Sequence, residues 1–397
     1  MGLKASLIGF FLAAVLTTPL IGEDQSSDNP GIHRPVSSQE IDQLKRQIYE
    51  DTQSNVELIV DYHTETGDLN NRLDFWRYGA RANFKWRPNA QLYFSGVHTP
   101  YTTRDNVLNE WGTNFTVGLQ GKLSEHVSSQ LEVGGTRFST DTTTVNALGS
   151  IDFKPSEKSN FHITASRSNV EESLLSVAGI RPQNGPFAGT LVGRVMDNRV
   201  VFGGYSKLPA RFDLFGEGGL GIREGSHIES NFFQQASGGL GYNLIATSQD
   251  EPLSLFRASY SVNYFGFNKN LFGFGGASLL SEGGMPIPLS DLGSDGISPS
   301  SSFVEPGVGG YFSPRRFLSN IFRVDLQGRP DRNVEYRLAG FVGSQDYTGS
   351  SIRRASGLSG SLIFRLSDRF SVPVTYLVDN FGPFTQQTLF ARLVVRF

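Results

Sequence analysis

The last ten residues, TLFARLVVRF, limit the possible fold more than any other stretch of the chain. Their side chains alternate with a period of two, because Leu389, Ala391, Leu393, Val395 and Phe397 alternate with Phe390, Arg392, Val394 and Arg396. This period indicates a β-strand with one apolar and one polar face. A strand of this kind that ends on phenylalanine is typical of outer-membrane barrels, and the barrel insertion machinery recognises it. We therefore expect that machinery as a partner.

The same alternation recurs along the chain. In NFHITASRS the apolar side chains are Phe161, Ile163 and Ala165, and the polar ones are His162, Thr164 and Ser166. FRASYSVNYFGF, VEYRLAGFVG, LSGSLIFRLS and FSVPVTYLVDNF repeat the pattern. Segments of about ten alternating residues between turns are the signature of a transmembrane barrel. A soluble β-sandwich also alternates, but it would rarely combine this C-terminus with 45 glycines and 31 phenylalanines.

Turn sequences predict the number of strands. They are RPNAQ, KPSEKSN, MDNRV, SQDEP, GRPDRN, LSDRF and NFGPFTQ. They divide the chain from about residue 55 onward into roughly 16 or 17 strands, and single-chain bacterial barrels favour even numbers. The predicted fold is therefore an all-β, antiparallel transmembrane barrel of 16 strands. A barrel of this size leaves an aqueous channel, which favours a transport function.

Residues 1–22 are predicted to be a signal peptide for Sec-dependent export to the outer membrane. Lys4 is followed by an apolar run from Ala5 to Leu16, too short for a spanning helix, and Gly22 is the predicted cleavage site. No run of 18 apolar residues follows, so no transmembrane helix is expected.

Residues 23–54 are predicted to form a periplasmic linker that ends in one short amphipathic helix. The sequence SSQE places a capping box at Ser37 and Glu40, and Ile41, Leu44 and Ile48 share one helical face. This helix either connects to the barrel or docks a periplasmic partner. The barrel is expected over residues 55–397, with a long, Ser-, Gly- and Pro-rich loop at 277–304 that is expected to be extracellular.

Composition excludes several classes of function. The chain has no cysteine, which removes disulfides and thiolate chemistry, and its net charge of -3 gives no basic footprint for nucleic acid. The six histidines lack metal-binding spacing, and no G-x-S-x-G motif occurs. We expect no metal, no organic cofactor and no enzymatic activity. The enzyme alternative is a catalytic site at one rim of the barrel that uses His98 or His227.

Three stretches together resemble one family. NVEESLLSVAGIRP, VNYFGFNKNLFGFGG and GVGGYFSPRRFLS are similar in order and character to the C-terminal domain of cellulose synthase operon protein C. The resemblance extends from about Asn55 to Phe397. It implies a 16-stranded barrel that passes a linear polysaccharide to the cell exterior and works with an inner-membrane synthase. This chain lacks the tetratricopeptide repeats that precede the barrel in that family, so a separate periplasmic repeat scaffold is a further expected partner.

The alternation predicts which side chains line the channel. The polar-face set is His162, Arg257, Asn263, Arg323, Asp325, Arg337, Arg365, Asp379, Arg392 and Arg396. Each of these could contact the substrate or form an ion pair that stiffens the wall. A neutral glucan favours mixed charges and amides, whereas an anionic polymer favours arginine. Arginines predominate in this set but acids are present, so the charge of the substrate stays open.

The exit is predicted from two aromatic stretches. In GGYFSPRR, Tyr311 and Phe312 could stack on sugar rings while Arg315 and Arg316 bind hydroxyls. Alternatively the aromatics belong to the interfacial girdle, and the arginines face lipid headgroups or lipopolysaccharide phosphates. In NYFGFNKNLFGFGG, Asn263 and Asn270 suit either a carbohydrate site or a strand end at the interface. The adjacent Glu171 and Glu172 are expected to be loop or rim charges.

Two functions follow from these observations. The first is an outer-membrane channel that exports a linear exopolysaccharide, such as cellulose or a related β-glucan. The second is a porin for small solutes, which requires only an open lumen and a constricting loop.

Overall fold

The computed structural model describes residues 53–67, 73–87, 89–103, 109–182, 185–247, 251–271, 309–348, 350–382 and 384–397. The predicted signal peptide, the amphipathic helix and the loop at 277–304 lie outside these residues. Within them, no helix is long and apolar enough to cross a membrane.

Sixteen antiparallel strands pair in chain order, and β1 pairs with β16, so the sheet closes into a barrel. The predicted fold class and strand number are thus confirmed. The strands are β1 (Asn55–Gly67), β2 (Leu73–Arg87), β3 (Ala90–Thr103), β4 (Asn109–Lys122), β5 (Val127–Phe138), β6 (Thr143–Ser156), β7 (Ser159–Asn169), β8 (Gly193–Lys207), β9 (Phe212–Ser226), β10 (Ile228–Ala246), β11 (Leu255–Phe267), β12 (Phe317–Asp331), β13 (Val334–Tyr347), β14 (Arg353–Arg365), β15 (Phe370–Asp379) and β16 (Phe384–Arg396). One short helix, α1 (Leu174–Val177), lies between β7 and β8.

The two faces of the barrel follow the alternation in the sequence. On β1, Leu58 and Val60 are exposed, whereas Asp61 and His63 are buried. On β16, Leu389 and Phe397 are exposed and Thr388 is buried. Because closure of the sheet leaves no unpaired edge strand, the apolar face can meet lipid while the polar face lines the lumen.

The two ends of the barrel differ in the length of their connections. Ser156 and Ser159 pair across a tight turn, and residues 123–126 form a similar short turn at the same end. The chain segments between β7 and β8 and between β11 and β12 are the longest, and both lie at the opposite end. Because barrels of this class place short turns in the periplasm and long loops outside, we call the end with the long connections the extracellular end.

One turn prediction is wrong. MDNRV was expected to be a turn, but residues 196–200 lie within β8. Asp197 and Arg199 are buried there, and the Asp197 carboxylate accepts hydrogen bonds from Arg199 at 3.1 Å and from Arg223 at 3.4 Å. The polar residues suggested a turn, but they are inward-facing charges that neutralise one another.

Candidate functional site

Residues 170–182 turn inward after β7 and enter the extracellular end of the lumen. Helix α1 lies in this segment, and the Ser173 hydroxyl caps it by accepting a hydrogen bond from the Ser176 backbone N–H at 3.1 Å. The apolar side of the helix packs on inward-facing residues of β2, β3 and β5. This cluster contains Leu73, Phe75, Tyr101, Phe138, Leu174, Val177 and Ala178.

Residues 309–313, which precede β12, pack against this inward segment. The Ser173 hydroxyl donates a hydrogen bond to the Gly310 carbonyl at 2.6 Å. Gly310 has a φ of +70°, and a Cβ atom there would lie 2.7 Å from the Ser173 hydroxyl oxygen and 3.0 Å from Leu175 Cβ. Only glycine therefore fits without strain. We call residues 170–182 and 309–313 together the plug.

The plug reaches opposite walls of the barrel through two adjacent carboxylates. Glu171 binds the Arg77 guanidinium on β2 at 2.7 Å and accepts a hydrogen bond from the Tyr101 hydroxyl on β3 at 3.1 Å. Glu172 binds the Arg223 guanidinium on β9 at 2.8 Å. Strands β2 and β9 are seven positions apart in a ring of 16, which is almost a half-turn. The plug therefore spans the lumen.

Arg223 is the centre of the contacts on the β9 side. Its side chain is 8% exposed, binds both Glu172 and Asp197, and lies over the Tyr311 ring at 4.7 Å from the ring centroid. Glu172 also accepts a hydrogen bond from the Phe312 backbone N–H at 2.5 Å, so one carboxylate joins both segments of the plug to the wall. Two carboxylates around one guanidinium compensate much of the cost of burying its charge.

Tyr311 occupies neither of the two places considered from the sequence, and Phe312 lies away from the interfacial girdle. Tyr311 is fully buried in a cluster with Val170, Val195, Phe233, Phe267 and Leu271, and burial raises the pKa of its hydroxyl to about 12. Its ring therefore meets neither lipid nor a sugar in this structure. Phe312 is half-buried and packs edge-on against inward-facing rings, with the Tyr347 centroid at 5.1 Å and the Phe265 centroid at 5.9 Å.

The remaining residues predicted at the exit are not part of the plug. Arg315 and Arg316 are exposed, and Arg316 pairs with Asp346 at 2.5 Å. Asn270 is exposed beyond the end of β11. Asn263 lies on β11, and its amide nitrogen donates to the Ser319 hydroxyl of β12 at 3.2 Å.

The predicted channel-lining charges lie on the inner face, mostly in pairs. Arg257 binds Asp213 at 2.5 Å and also approaches Asp325 at 3.6 Å, while Arg323 binds Asp325 at 2.7 Å. The other contacts are Arg337 to Glu335 at 3.0 Å, Arg365 to Glu335 at 3.4 Å, Asp379 to Gln386 at 2.9 Å, His162 to Glu217 at 3.7 Å, and Arg392 to Asp61. Arg396 ends β16 opposite Asn55 of β1. Glu335, which also lies 3.8 Å from Arg329, is in contact with three arginines.

Sequence reasoning missed an aromatic surface on the inner face near the plug. Phe265, Phe317 and Tyr347 come from β11 to β13, and the rings of Phe341, Phe381 and Phe384 extend the cluster. The alternation of the sequence contained a signal for this surface, because it places Phe341 on the same face of β13 as Glu335 and Arg337. Glu171 and Glu172 were expected to be loop or rim charges, because nothing in the local sequence indicates that their segment turns inward.

The two histidines considered for catalysis do not form a catalytic arrangement. His98 lies on the outer face between the rings of Tyr78 and Trp111, with ring Nδ1 2.8 Å from the Thr113 hydroxyl. His227 is exposed in the turn between β9 and β10. In the described part of the chain, no three His, Asp or Glu side chains form a group suited to a metal ion.

Comparison with solved structures agrees with the barrel fold. A bacterial polysaccharide outer membrane secretin aligns over 87% of this chain and 99% of its own, with a TM-score of 0.58 and 10% identity. The CymD monoaromatic hydrocarbon channel has a TM-score of 0.41 and 8% identity over 87% of this chain and 88% of its own. CdiB from Acinetobacter baumannii also has a TM-score of 0.41, with 11% identity, over 86% of this chain and 60% of its own. The fold is that of an outer-membrane barrel.

Among curated proteins, none matches the chain in sequence. The family model of the cellulose synthase operon protein C C-terminus, however, matches residues 66–277. This range is shorter than the resemblance had suggested and stops before GVGGYFSPRRFLS, but it includes the segment that carries Glu171, Glu172 and α1. It covers more than half of the 397 residues, so the chain belongs to the family of the cellulose synthase operon protein C C-terminal domain.

Proposed function

We propose that this protein is an outer-membrane channel that exports a linear polysaccharide, with cellulose or a related neutral β-glucan as the substrate. The observation that carries the proposal is the plug, whose adjacent Glu171 and Glu172 hold opposite walls at the extracellular end. A polymer leaving the cell must displace this segment. Family membership supports the same function.

The charges of the lumen favour a neutral polymer. The carboxylates of Asp213, Asp325 and Asp61 each bind an arginine that the alternation had placed in the channel. Paired charges offer hydrogen-bonding groups without a strong electrostatic field. A neutral polymer that carries hydroxyl groups can therefore slide past them. An anionic polymer would instead require arginines without acidic partners along the path.

The aromatic cluster gives a second reason. Partly buried rings such as Phe341 and Phe384 face the lumen near the plug. The flat apolar face of a pyranose ring can stack on such surfaces, because aromatic rings combine a wide apolar area with a polarised π system.

We propose that an inner-membrane synthase supplies the polymer and that a separate periplasmic scaffold connects the synthase to the barrel. We also propose Sec-dependent export as the route by which the protein reaches the membrane.

The test is polymer secretion in a strain that lacks this gene and keeps an active synthase. Retention of polymer in the periplasm, with normal growth on small solutes and recovery on complementation, is the expected result. Normal secretion combined with impaired solute uptake would identify the protein as a porin and contradict the proposal.

A further inference from the structure

A pocket of about 350 Å³ lies at the extracellular end of the barrel, outside the lumen. Val145, Arg167, Met196 and Glu224 line it, and they share the outward register of the apolar residues on their strands. Val145 is 58% exposed. The pocket therefore faces the outer leaflet of the membrane and is separate from the polymer path.

The pocket lies where the wall is incompletely paired. The ladder between β6 and β7 ends at Ala147 and Arg167, although β6 begins four residues earlier at Thr143. The Arg167 Nε donates to the Val145 carbonyl at 3.2 Å across this notch, and its Nη1 donates to the Asn198 side chain at 2.6 Å. Side chains rather than backbone hydrogen bonds close the wall here.

The charge in the pocket is only partly compensated. Arg167 and Arg194 form no ion pair with a carboxylate of the described residues, and the single polar contact of the Arg194 side chain is with the Ser226 hydroxyl at 3.5 Å. Glu224 is the one acid in the lining. Two arginines in the lining of one pocket suit a phosphate, which can accept charge-assisted hydrogen bonds from guanidinium groups.

The uncharged part of the lining suits the remainder of a glycolipid. Val145 and Met196 provide an apolar surface for an acyl chain.

We propose that this pocket binds the phosphorylated sugar headgroup of a glycolipid of the outer leaflet. Its position on the lipid-facing side favours a membrane-embedded ligand over a free anion. The bound glycolipid would anchor the incompletely paired notch between β6 and β7, a role independent of polymer export.

The test uses the full chain, purified and reconstituted in nanodiscs of a zwitterionic phospholipid. The probes are a bisphosphorylated, acylated glucosamine disaccharide and its phosphate-free form, with binding measured by native mass spectrometry. The variants are Arg194→Gln and the double variant with Arg167→Gln. Arg211→Gln is the matched control, because this exposed arginine lies at the periplasmic end. A difference in gel mobility between unheated and heated samples verifies folding.

The wild type should bind the phosphorylated lipid at least about tenfold more tightly than the phosphate-free form, as expected for charge-assisted hydrogen bonds. Arg194→Gln should reduce this preference, the double variant should abolish it, and Arg211→Gln should keep it. Equal binding of the two lipids by the wild type, or a double variant that keeps the preference, would overturn the proposal. Complete displacement by millimolar inorganic phosphate would identify a free-anion site and would also overturn it.

Discussion

Substitution of Glu172 by glutamine should open the extracellular end of the channel. The Glu172 carboxylate binds Arg223 at 2.8 Å and accepts the Phe312 backbone N–H at 2.5 Å, so it joins both segments of the plug to the β9 wall. Glutamine has almost the same volume and keeps an acceptor for the backbone N–H. The substitution therefore removes the negative charge of the Glu172 side chain and changes little else.

The expected change in the free energy of the closed state follows from the burial of the Arg223 side chain. Loss of one partner from a buried ion pair costs about 3–5 kcal/mol, because the other charge stays desolvated. Arg223 is 8% exposed but keeps Asp197 at 3.4 Å, so we expect a smaller loss of about 2 kcal/mol in the closed state. The ratio of open to closed channels should then rise roughly 30-fold.

Single-channel recording in planar bilayers measures this ratio directly. The matched control is Glu229→Gln, because Glu229 forms an ion pair with Lys269 at 2.6 Å but is 61% exposed, and such pairs contribute about 0–1 kcal/mol. We expect frequent openings for Glu172→Gln and wild-type behaviour for Glu229→Gln. If Glu172→Gln opens no more often than the control, Glu172 does not hold the plug closed.

Three further predictions concern the wall. Asp213→Ala should lower the free energy of unfolding by about 2 kcal/mol, measured as a lower urea midpoint on gels, because the fully buried carboxylate is the closest partner of Arg257, which keeps only Asp325 at 3.6 Å; an unchanged midpoint would contradict this. Val133→Arg, on the outer face, should cost about 2–4 kcal/mol and impair insertion, whereas the inward-facing Gln130→Arg should insert normally. Similar insertion of the two variants would contradict the assignment of the faces. Phe341→Ala should slow polymer export by about threefold, in the range of one aromatic contact, without altering folding; an unchanged export rate would argue against sugar stacking.

The architecture of the barrel is predictable from sequence because alternation is a local property. On β16, the residues expected to face lipid do so, and Arg392 is on the inner face in contact with Asp61. The same logic placed Arg257 and Arg323 in the lumen. It fails for MDNRV, since a polar run within a strand resembles a turn until its ion partners on neighbouring strands are known.

The plug could not be predicted in the same way. Its contacts join residues far apart in the chain, such as Ser173 with Gly310 and Glu172 with Phe312. Neither segment has a periodic pattern of apolar and polar residues that would indicate inward folding. Resemblance marked GVGGYFSPRR and EESLLSVAG as family features, but their interaction depends on the closure of the barrel, which brings β7 and β12 to the same extracellular end.

The most direct test of the central claim is to lock the plug and measure secretion. The chain has no cysteine, and an ideal Cβ at Gly310 lies 2.7 Å from the Ser173 hydroxyl oxygen, close to the roughly 3 Å that separates a Cβ from the distal sulfur of a disulfide. The variant Ser173→Cys with Gly310→Cys can therefore be cross-linked in intact cells, although cysteine at the positive φ of Gly310 strains the backbone by about 1–3 kcal/mol. We predict that polymer secretion stops when the pair is oxidised, resumes after reduction, and continues in either single variant. Undiminished secretion with the pair fully cross-linked would contradict the account, since the polymer would then leave without moving the plug.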